Sequence, residues 1–536
     1  MENTKETLIE RQKPFYVGAI DIGTNSIHLL IASIDPLLNT FTIDLAEKST
    51  TRLGERDPDT GDLTAAAIER SLEALKQFKE LAESYRVKDI VSVATSAVRE
   101  ASNGREFVEQ VKTQIGLNID LVSGAEEARL IYLGVLSGMQ FGETPHFLID
   151  IGGGSTELIL ADGKEASALT SSRVGAVRLQ RDFIREEPIP ILRREFLKTF
   201  IQGSMEPAVE KVKSRCLTDK KPVMVATSGT SMAIGSLVAS EESNPPLKLH
   251  GYKIAITQID IWVEKLLNMK PEERKKLSSI SDRRSEIIVP GALILQTAMR
   301  MLGVKDLILS ERALREGIIF DWMFRHGLLK DSFSFQSSIR ERTVLHQAQR
   351  FSVDTLYAAR VANHSINLFD KSQGILHNND GTGRGLLWAA AMLHTCGQHI
   401  NRSGYHKHSW YLIRHGDLLG YSQSEHLIIA SIARYHRRSL PKKRHDSWMS
   451  LANAKDKQTV LEMSLILRIA SIINKRPEPF IDSFSLKLEG QKVIFTLSAK
   501  YPDQNLSLEK WSLLNCGFII KETTGLELEV YTNNEN

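Results

Sequence analysis

The chain has 536 residues, enough for several domains, and its 42% hydrophobic and 25% charged residues are typical of a soluble globular protein. It contains no apolar run long enough to span a membrane, no signal-peptide core near its N-terminus, and only three separated cysteines, which form neither a disulfide framework nor a zinc spacing. We therefore expect a cytoplasmic protein without membrane partners, whose small net charge of +3 is unevenly distributed.

The first folded element follows a predicted disordered lead-in at residues 1–14. "FYVGAID" and "SIHLLIASI" are predicted strands, and "GTN" between them is a tight turn. Next come the helical pattern "DLTAAAIERSLEALKQFKELAESY", the strand and helix start "DIVSVATSAVREA", and the helix "FVEQVKTQIG". This alternation predicts a first α/β domain at residues 15–134.

A second domain is predicted at residues 135–325, because the opening hairpin recurs 129 residues later. "FLIDIGGGSTELILA" aligns without a gap with "AIDIGTNSIHLLIA", and each copy has an apolar run ending in Asp, a small-residue turn and a second apolar run. Further helical and strand patterns follow, among them "PVMVATSGTSMAIGSL". Two α/β halves with matched hairpins predict a cleft that holds a polyphosphorylated ligand.

Small residues in the turns predict phosphate contacts. Glycine lets the backbone approach another group closely or adopt positive φ, and successive N–H groups in such a turn form an anion site. A third small-residue loop, "ATSGT", is predicted near the ligand. The candidate phosphate-binding residues of the three loops are Gly23, Thr24, Asn25, Ser26, Gly153, Gly154, Ser155, Thr156, Ser228, Gly229 and Thr230.

Two carboxylates flank the second turn. Asp150 ends one predicted strand and Glu157 begins the next, so the hairpin should bring both toward one open end. Carboxylate oxygens suit Mg²⁺, which takes one or two protein carboxylates together with water and phosphate. In the first copy His28 replaces the glutamate, and Asp21 is expected to join through water. The first hairpin is therefore predicted to grip phosphate and the second to hold Mg²⁺ as well.

The C-terminal part divides into a predicted helical domain at residues 335–480 and a small β-containing segment at residues 481–536. Between His399 and His445 there are nine Lys or Arg, two Asp or Glu and seven His. This imbalance favours an anionic partner over a plain solvated surface. The predicted polyanion groove consists of Arg402, Lys407, Arg437, Arg438, Lys442, Lys443 and Arg444. No nucleic-acid-reading motif accompanies it, so no specific nucleic acid is expected as a partner.

The two hairpins resemble the phosphate loops of the actin, sugar kinase and Hsp70 superfamily. More narrowly, the chain resembles the exopolyphosphatase and guanosine pentaphosphate phosphohydrolase family. Four further stretches carry that resemblance, in the expected order: "ATSAVREASN", "SGAEEARLIYLG", "ATSGT" and "SERALREGII". The resemblance implies two duplicated actin-like (ribonuclease H-like) domains with an interdomain cleft, an α-helical HD-like domain, and a homodimer.

The resemblance also implies roles for single residues. Glu127 would be the base that activates water, with Asp150 and Glu157 as its catalytic companions, and Arg99 would bind phosphate. The helical domain resembles an HD-type phosphohydrolase, but the metal-binding pair reads His394-Thr395. Because the aspartate is missing, a second metal centre is not expected there, although histidines 394, 408 and 436 leave zinc as an alternative.

The implied function is an exopolyphosphatase that releases orthophosphate from inorganic polyphosphate and depends on Mg²⁺. Guanosine pentaphosphate is the alternative substrate, and the shared motifs do not separate the two. A sugar or acetate kinase shares the hairpins, but the Glu126-Glu127 motif between them favours water as the acceptor. A non-hydrolytic actin-like module would not need Glu127, Asp150 and Glu157 together.

Overall fold

The computed structural model describes residues 13–216, 222–329, 339–379, 381–451, 453–501 and 503–533. The chain forms two compact units, Met1–Ile339 and Arg340–Asn536. The lead-in predicted at residues 1–14 lies almost entirely outside the described residues. Among the helices that the structure describes, none combines the length and the hydropathy needed to cross a bilayer.

The first half of the first unit is built on a five-stranded sheet in the order β3-β2-β1-β4-β5. Its strands are β1 (Phe15–Ile22), β2 (Ile27–Asp35), β3 (Thr40–Ser49), β4 (Ile90–Ala94) and β5 (Ile119–Leu121). β1 to β3 form an antiparallel meander, whereas β4 and β5 run parallel to β1. Its helices are α1 (Ala65–Ser84), α2 (Ser96–Arg99), α3 (Gly104–Ile115) and α4 (Gly124–Leu136). The apolar faces of α1 and α3 pack with β1 and β2 into one core.

The second half repeats this plan. Its sheet has the order β10-β11-β9-β6-β7-β8, again an antiparallel meander followed by parallel neighbours. The strands are β6 (His146–Ile151), β7 (Thr156–Ala161), β8 (Ala166–Ser172), β9 (Val223–Thr227), β10 (Lys253–Ala255) and β11 (Asp306–Leu309). Every residue of β6 and β7 is buried, as expected for central strands covered on both faces. β8-β7-β6-β9-β11 thus matches β3-β2-β1-β4-β5.

Helices cover the second sheet and close the unit. They are α5 (Ala176–Phe183), α6 (Ile191–Arg215), α7 (Ser228–Ala239), α8 (Ile256–Asn268), α9 (Pro271–Arg274), α10 (Asp282–Ser285), α11 (Ile288–Leu302) and α12 (Leu314–Arg325). The apolar α11 is buried along most of its length and packs against α6, α7 and α8. This packing forms the core of the second half.

Helix α12 returns to the first half, although the sequence groups it with the second domain. It packs against α4 and β1, and the Trp322 indole donates a hydrogen bond to Asp89 (2.8 Å). α4 and α12 cross at two glycines, where the backbones are too close for a side chain. A Cβ at Gly134 would lie 1.8 Å from the Ala313 carbonyl oxygen. A Cβ at Gly317 would lie 1.7 Å from the Leu130 carbonyl oxygen. No larger side chain fits at this crossing.

The second unit is helical and ends in a small sheet. Its helices are α13 (Ile339–Arg350), α14 (Thr355–Lys371), α15 (Thr382–Leu393), a 3₁₀ turn (Cys396–His399), α16 (Tyr405–His415), α17 (Gln423–Tyr435), α18 (Asp446–Met449), α19 (Ala454–Ile473), α20 (Ser507–Leu514) and α21 (Gly517–Thr524). Strands β12 (Ile481–Glu489), β13 (Lys492–Ala499) and β14 (Glu527–Thr532) form the sheet. The predicted fold class is confirmed: two duplicated α/β halves, a helical domain and a small β-containing segment.

Candidate active site

The two turns of the duplicated hairpins have the same hydrogen-bonded shape. The Gly23 N–H donates to the Ser26 carbonyl (3.1 Å), and the Gly152 N–H donates to the Ser155 carbonyl (2.9 Å). The strands also pair in the same register, with Asp21 opposite His28 and Asp150 opposite Glu157. Each hairpin therefore presents an aspartate at the end of its first strand, next to the turn.

The glycines of the second turn let the two hairpins meet. A Cβ at Gly153 would lie 2.9 Å from Thr24 Cβ, and one at Gly154 would lie 2.5 Å from Ser96 Oγ. The backbone of these glycines does not have positive φ. Glycine is therefore required here because the backbone lies close to other groups, and not because it has positive φ.

A cavity of about 190 Å³ lies between the hairpins. Most of the predicted phosphate-binding residues line it. These residues are Gly23, Thr24, Asn25, Ser26, Gly153, Ser155, Ser228 and Gly229. Ser228 begins α7 with a φ of 80°, a left-handed conformation that is costly for a residue other than glycine. Its Oγ accepts a hydrogen bond from the Ile151 N–H (3.3 Å). The third loop thus joins the wall of the cavity at a strained residue.

Three predicted phosphate contacts lie away from this wall. Gly154 borders a neighbouring cavity of about 200 Å³. Thr156 is fully buried and donates its hydroxyl hydrogen to the Val174 carbonyl. Thr230 is also buried, and its Oγ1 accepts a hydrogen bond from Arg284 (3.3 Å). Thr156 therefore holds the hairpin together, while Thr230 orients a cation.

Three carboxylates face the cavity: Asp21, Glu127 and Asp150. Burial, together with the neighbouring carboxylates of Glu127 and Asp21, raises the pKa of Asp150 to about 7. Burial likewise raises the pKa of Asp21 to about 7, although Arg315 opposes the shift. Neither aspartate has a hydrogen-bond partner within the described part of the chain. The two aspartate carboxylates are therefore available to a ligand of the cavity.

Glu157 lies beside Asp150 but does not reach the cavity wall. It is 1% exposed, and its carboxylate accepts a hydrogen bond from Ser171 Oγ (2.7 Å). Burial and the charges of Glu127 and Asp150 raise its pKa. The carboxylate that shares the cavity with Asp150 is instead Asp21, from the first hairpin.

Glu127 is positioned by the start of α4. The Ser123 hydroxyl caps this helix by accepting a hydrogen bond from the Glu126 N–H (3.2 Å), so both glutamates lie in the first turn. Glu126 turns away and pairs with Arg129, whereas Glu127 is 6% exposed and faces the cavity. The two neighbouring carboxylates therefore have different surroundings.

Arg99 contacts Glu127 rather than the cavity wall. Its Nη1 lies 3.0 Å from Glu127 Oε2 and 2.9 Å from the Val122 carbonyl oxygen. Burial raises the pKa of Glu127, and the Arg99 charge opposes that shift. Burial thus makes the Glu127 carboxylate more basic, and the Arg99 charge limits that rise, an arrangement that suits a general base.

Sequence reasoning missed the cations of the cavity. Lys48, Arg284 and Arg315 line it from three separate segments. Burial lowers the pKa of Arg284. Burial also lowers the pKa of His28 to about 3, and the positive charges of Arg315 and Lys48 contribute to that shift. His28 is therefore neutral near pH 7. Arg315 lies in the quoted stretch "SERALREGII", which is the only sequence signal for the three cations.

The donor set on the acidic side suits a hard divalent cation. Asp21 and Asp150 offer carboxylate oxygens without hydrogen-bond partners, and Mg²⁺ usually takes one or two protein carboxylates and completes its shell with water and phosphate. Within the described ranges, no group of three or more His, Cys, Asp or Glu side chains is arranged to hold a metal. The residues present therefore fit a cation shared with a phosphorylated ligand better than a cage made only of protein.

The basic residues predicted in the second unit form a partly contiguous surface. Burial and the charges of Arg434, Arg437, Lys407 and Arg438 lower the pKa of His406 to about 4. These cations therefore lie around His406, on one face of the helical domain. Lys442 and Arg444 act in the same way on the pKa of His445, after burial and Arg434. Arg402 and Lys443 are exposed.

The histidines considered for zinc do not converge on a metal site. The rings of His394 and His436 lie 5.1 Å apart, and each Nδ1 donates to a backbone carbonyl of its own helix. Burial lowers the pKa of His394 to about 4. In the described part of the helical unit, no third ligand lies near enough to complete a site.

Comparison with known proteins connects this geometry with a family. The model of the Ppx/GppA phosphatase family matches residues 30–326, and the model of Ppx/GppA phosphatase domain III matches residues 339–515. A curated protein of Vibrio vulnificus, named guanosine-5'-triphosphate,3'-diphosphate pyrophosphatase, is 27% identical over 494 residues, which cover 92% of this chain and 93% of that protein.

Two solved structures each match more than half of the chain. A Ppx/GppA family member from Aquifex aeolicus is 30% identical with a TM-score of 0.50, over 59% of this chain and 99% of that one. A structure from Cytophaga hutchinsonii, described as an exopolyphosphatase, has 23% identity and a TM-score of 0.53, over 58% of this chain and 98% of that one. The second likeness shows the fold alone.

Proposed function

Because this chain belongs to the Ppx/GppA phosphatase family, and so is a hydrolase of phosphoanhydride bonds, we propose that it is a Mg²⁺-dependent exopolyphosphatase that releases orthophosphate from the end of inorganic polyphosphate. One observation carries the proposal. Glu127, paired with Arg99, faces a cavity that is bordered by two phosphate-type turns. A nucleotide-binding module without catalysis would not require a buried, basic carboxylate there.

Binding of the terminal phosphoryl group uses the two turns and the cations. The N–H groups and hydroxyls of the turns offer hydrogen bonds to its oxygens. Arg284 and Arg315 supply positive charge from another side, and guanidinium groups match phosphate oxygens in pairs. The wall of the cavity thus compensates the negative charge of the group to be transferred and limits its orientations.

Hydrolysis then requires an oriented water molecule. Glu127 accepts a proton from this water as its oxygen forms a bond to the terminal phosphorus. The bond between that phosphorus and the bridging oxygen breaks, so the products are orthophosphate and a chain shorter by one phosphate. Mg²⁺, held by Asp21 and Asp150, would supply Lewis-acid neutralisation of the phosphate oxygens.

The preference for polyphosphate rests on the basic surface of the helical unit. A long linear polyanion has phosphates beyond the one in the cavity, and clustered Lys and Arg bind such chains with a gain from counterion release. Lys407, Arg437, Arg438, Lys442 and Arg444 supply such a cluster.

Guanosine pentaphosphate is the second candidate substrate. It is favoured by curated relatives named for that activity, which match more than nine-tenths of this chain. Both substrates end in a phosphoanhydride that the same cavity accommodates.

The test is phosphate release from long polyphosphate, tripolyphosphate, guanosine pentaphosphate and ATP, measured side by side with Mg²⁺. The proposal expects the highest kcat/KM on long polyphosphate, and the Glu127→Gln protein serves as the control for contaminating phosphatases. A higher kcat/KM on guanosine pentaphosphate would favour the second candidate. Equal, low rates on all four substrates would refute both.

A further inference from the structure

The helical unit contains a second cavity, which shares Arg437 and Arg438 with the proposed basic surface but shares no residue with the catalytic cavity. It has a volume of about 540 Å³ and lies among the ends of α14, α17 and α19. Binding sites for small molecules commonly have about 300–1,000 Å³. The cavity is therefore large enough for a compact ligand but too small for a folded nucleic acid.

The walls of this cavity carry positive charge without negative charge. Arg437, Arg438, Arg468 and Lys475 line it, and its lining includes no Asp or Glu. Among the residues that the structure describes, none of these four cations forms an ion pair with a carboxylate. Thr395, at the position where an HD-type metal centre would have aspartate, contributes only a hydroxyl. The positive charge of the cavity thus suits an anion and not a cation.

The most buried of the four cations is held in place. Arg468 is 8% exposed and donates hydrogen bonds to the carbonyls of Tyr435 (2.7 Å) and Arg438 (3.0 Å). Its burial lowers its pKa, and Arg437 adds to the effect. A buried charge without a counterion is costly, and an anion would offset that cost.

The turn after α17 supports a binding role. Arg438 has a φ of 65°, a left-handed conformation that is usually adopted by glycine at the end of a helix. Glycine would relieve this strain, yet the chain has an arginine whose carbonyl holds Arg468 and whose side chain lines the cavity. Arg437 is fixed over the Tyr405 ring at 4.7 Å. Local strain of this kind is typical of functional sites.

We propose that this cavity binds a compact oligophosphate, a linear diphosphate or triphosphate group that is either free or part of a nucleotide. Several cations around one cavity match several negative charges spaced along a short chain, and arginine binds phosphate through paired hydrogen bonds. A single carboxylate would leave most of the positive charge uncompensated. The cavity is separate from the catalytic cavity of the first unit, so it would serve as an additional, non-catalytic site.

The test is hydrogen–deuterium exchange of the full chain, with a chelator present to prevent turnover. The probes are tripolyphosphate, GTP and guanosine. We expect slower exchange in the segments 435–438 and 468–475 with tripolyphosphate, GTP or both. Segments 21–28 and 150–157 report the catalytic cavity in the same sample, so failure of the proposed reaction and failure of this site are distinguished.

Variants establish which residues bind. In Arg438→Gln/Lys475→Gln, the ligand concentration needed for half of the protection should rise about tenfold for each cation lost, as expected for one charge-assisted hydrogen bond. The conservative Arg438→Lys/Lys475→Arg protein should regain most of that loss, which controls for misfolding. Lys487→Gln/Lys500→Gln removes two exposed lysines that belong neither to the cavity nor to the basic surface, and it should change nothing.

Each outcome of the probe series has a meaning. Protection by tripolyphosphate supports a site for inorganic oligophosphate, and protection by GTP alone supports a nucleotide site. Protection by guanosine to the same degree would overturn the proposal, because phosphate would then not be recognised. Protection by none of the probes, or equal weakening in the Lys487→Gln/Lys500→Gln protein, would also overturn it.

Discussion

The Arg99 guanidinium lies 3.0 Å from the Glu127 carboxylate, and Glu127, unlike Arg99, lines the cavity. Two opposing influences on the proton affinity of Glu127 meet in this pair. Burial favours the protonated acid, and the nearby positive charge favours the carboxylate. We therefore expect Arg99 to act through Glu127 as a positioning residue, while the phosphate contact that the family resemblance implies for Arg99 stays a prediction.

Replacing Arg99 by Gln should move the acid limb of the pH–rate profile to higher pH. Loss of the positive charge removes the influence that lowers the pKa of Glu127, so a larger fraction of the base is protonated at a given pH. The measurement is kcat/KM against pH for wild type, Arg99→Gln and Arg99→Lys. The lysine variant should show a smaller displacement, and an acid limb that stays in place in Arg99→Gln would contradict the assigned role.

Glu127→Gln should lose most turnover but retain substrate binding. The amide has nearly the same shape but cannot accept the proton from water, and loss of a general base typically costs about 10²–10⁴ in rate. Phosphate release at saturating substrate measures the effect. Glu126→Gln is the matched control, since Glu126 pairs with Arg129 outside the cavity and should keep a near-normal rate. Wild-type turnover in Glu127→Gln would rule out this base.

Asp150→Asn and Asp21→Asn should each raise the Mg²⁺ concentration needed for half-maximal activity. Each change removes one hard oxygen ligand from the cavity wall. The sequence predicted the same for Glu157, but its carboxylate is directed to Ser171, so Glu157→Gln should raise the Mg²⁺ requirement less. Mg²⁺ titrations of the three variants test this order. An unchanged titration for both aspartate variants would place the metal elsewhere.

Neutralising the exposed basic cluster should affect only long substrates. In Lys442→Gln/Lys443→Gln/Arg444→Gln, long polyphosphate should bind more weakly, and its affinity should depend less on salt, because fewer counterions are released. Tripolyphosphate hydrolysis should be unchanged. Binding to long polyphosphate at low and raised salt gives both quantities, and an undiminished affinity and salt slope would mean that this surface is only solvated.

Gly317→Ala should destabilise the first unit by about 1–3 kcal/mol, the usual range for an overpacked site. The added Cβ would lie 1.7 Å from the Leu130 carbonyl oxygen, so α12 and α4 must separate. Denaturant unfolding measures the change. Gly203→Ala is the control, because Gly203 lies within α6 with open space around its Cβ position and alanine favours helix there by about 0.5–1 kcal/mol. Equal stability of the two variants would contradict the tight crossing.

The sequence predicted those parts of the site that lie within one local pattern. The two turns, Asp150 and Glu127 belong to short stretches whose residue order already indicates a turn or a helix start, and the structure brings them to one cavity. Duplication helped, because two copies of one hairpin imply two facing halves.

What the sequence could not predict depends on packing between distant segments. Arg284 lies on a four-residue helix without a motif, and it reaches the cavity only because the fold brings it against Gly229, where a Cβ would lie 2.1 Å from its guanidinium. The directions of Arg99 and Glu157 were also unpredictable, since residue type and spacing do not reveal which neighbour a side chain will contact.

The return of α12 to the first sheet has a consequence for synthesis on the ribosome. The first half begins at β1, yet the helix that covers part of its core is translated only when the chain reaches Arg325. Until then, the apolar surface that receives Ile318 and Trp322 stays uncovered in the nascent chain. The N-terminal half therefore cannot mature before the C-terminal half of its unit has emerged, and during that interval it is a natural client for chaperones.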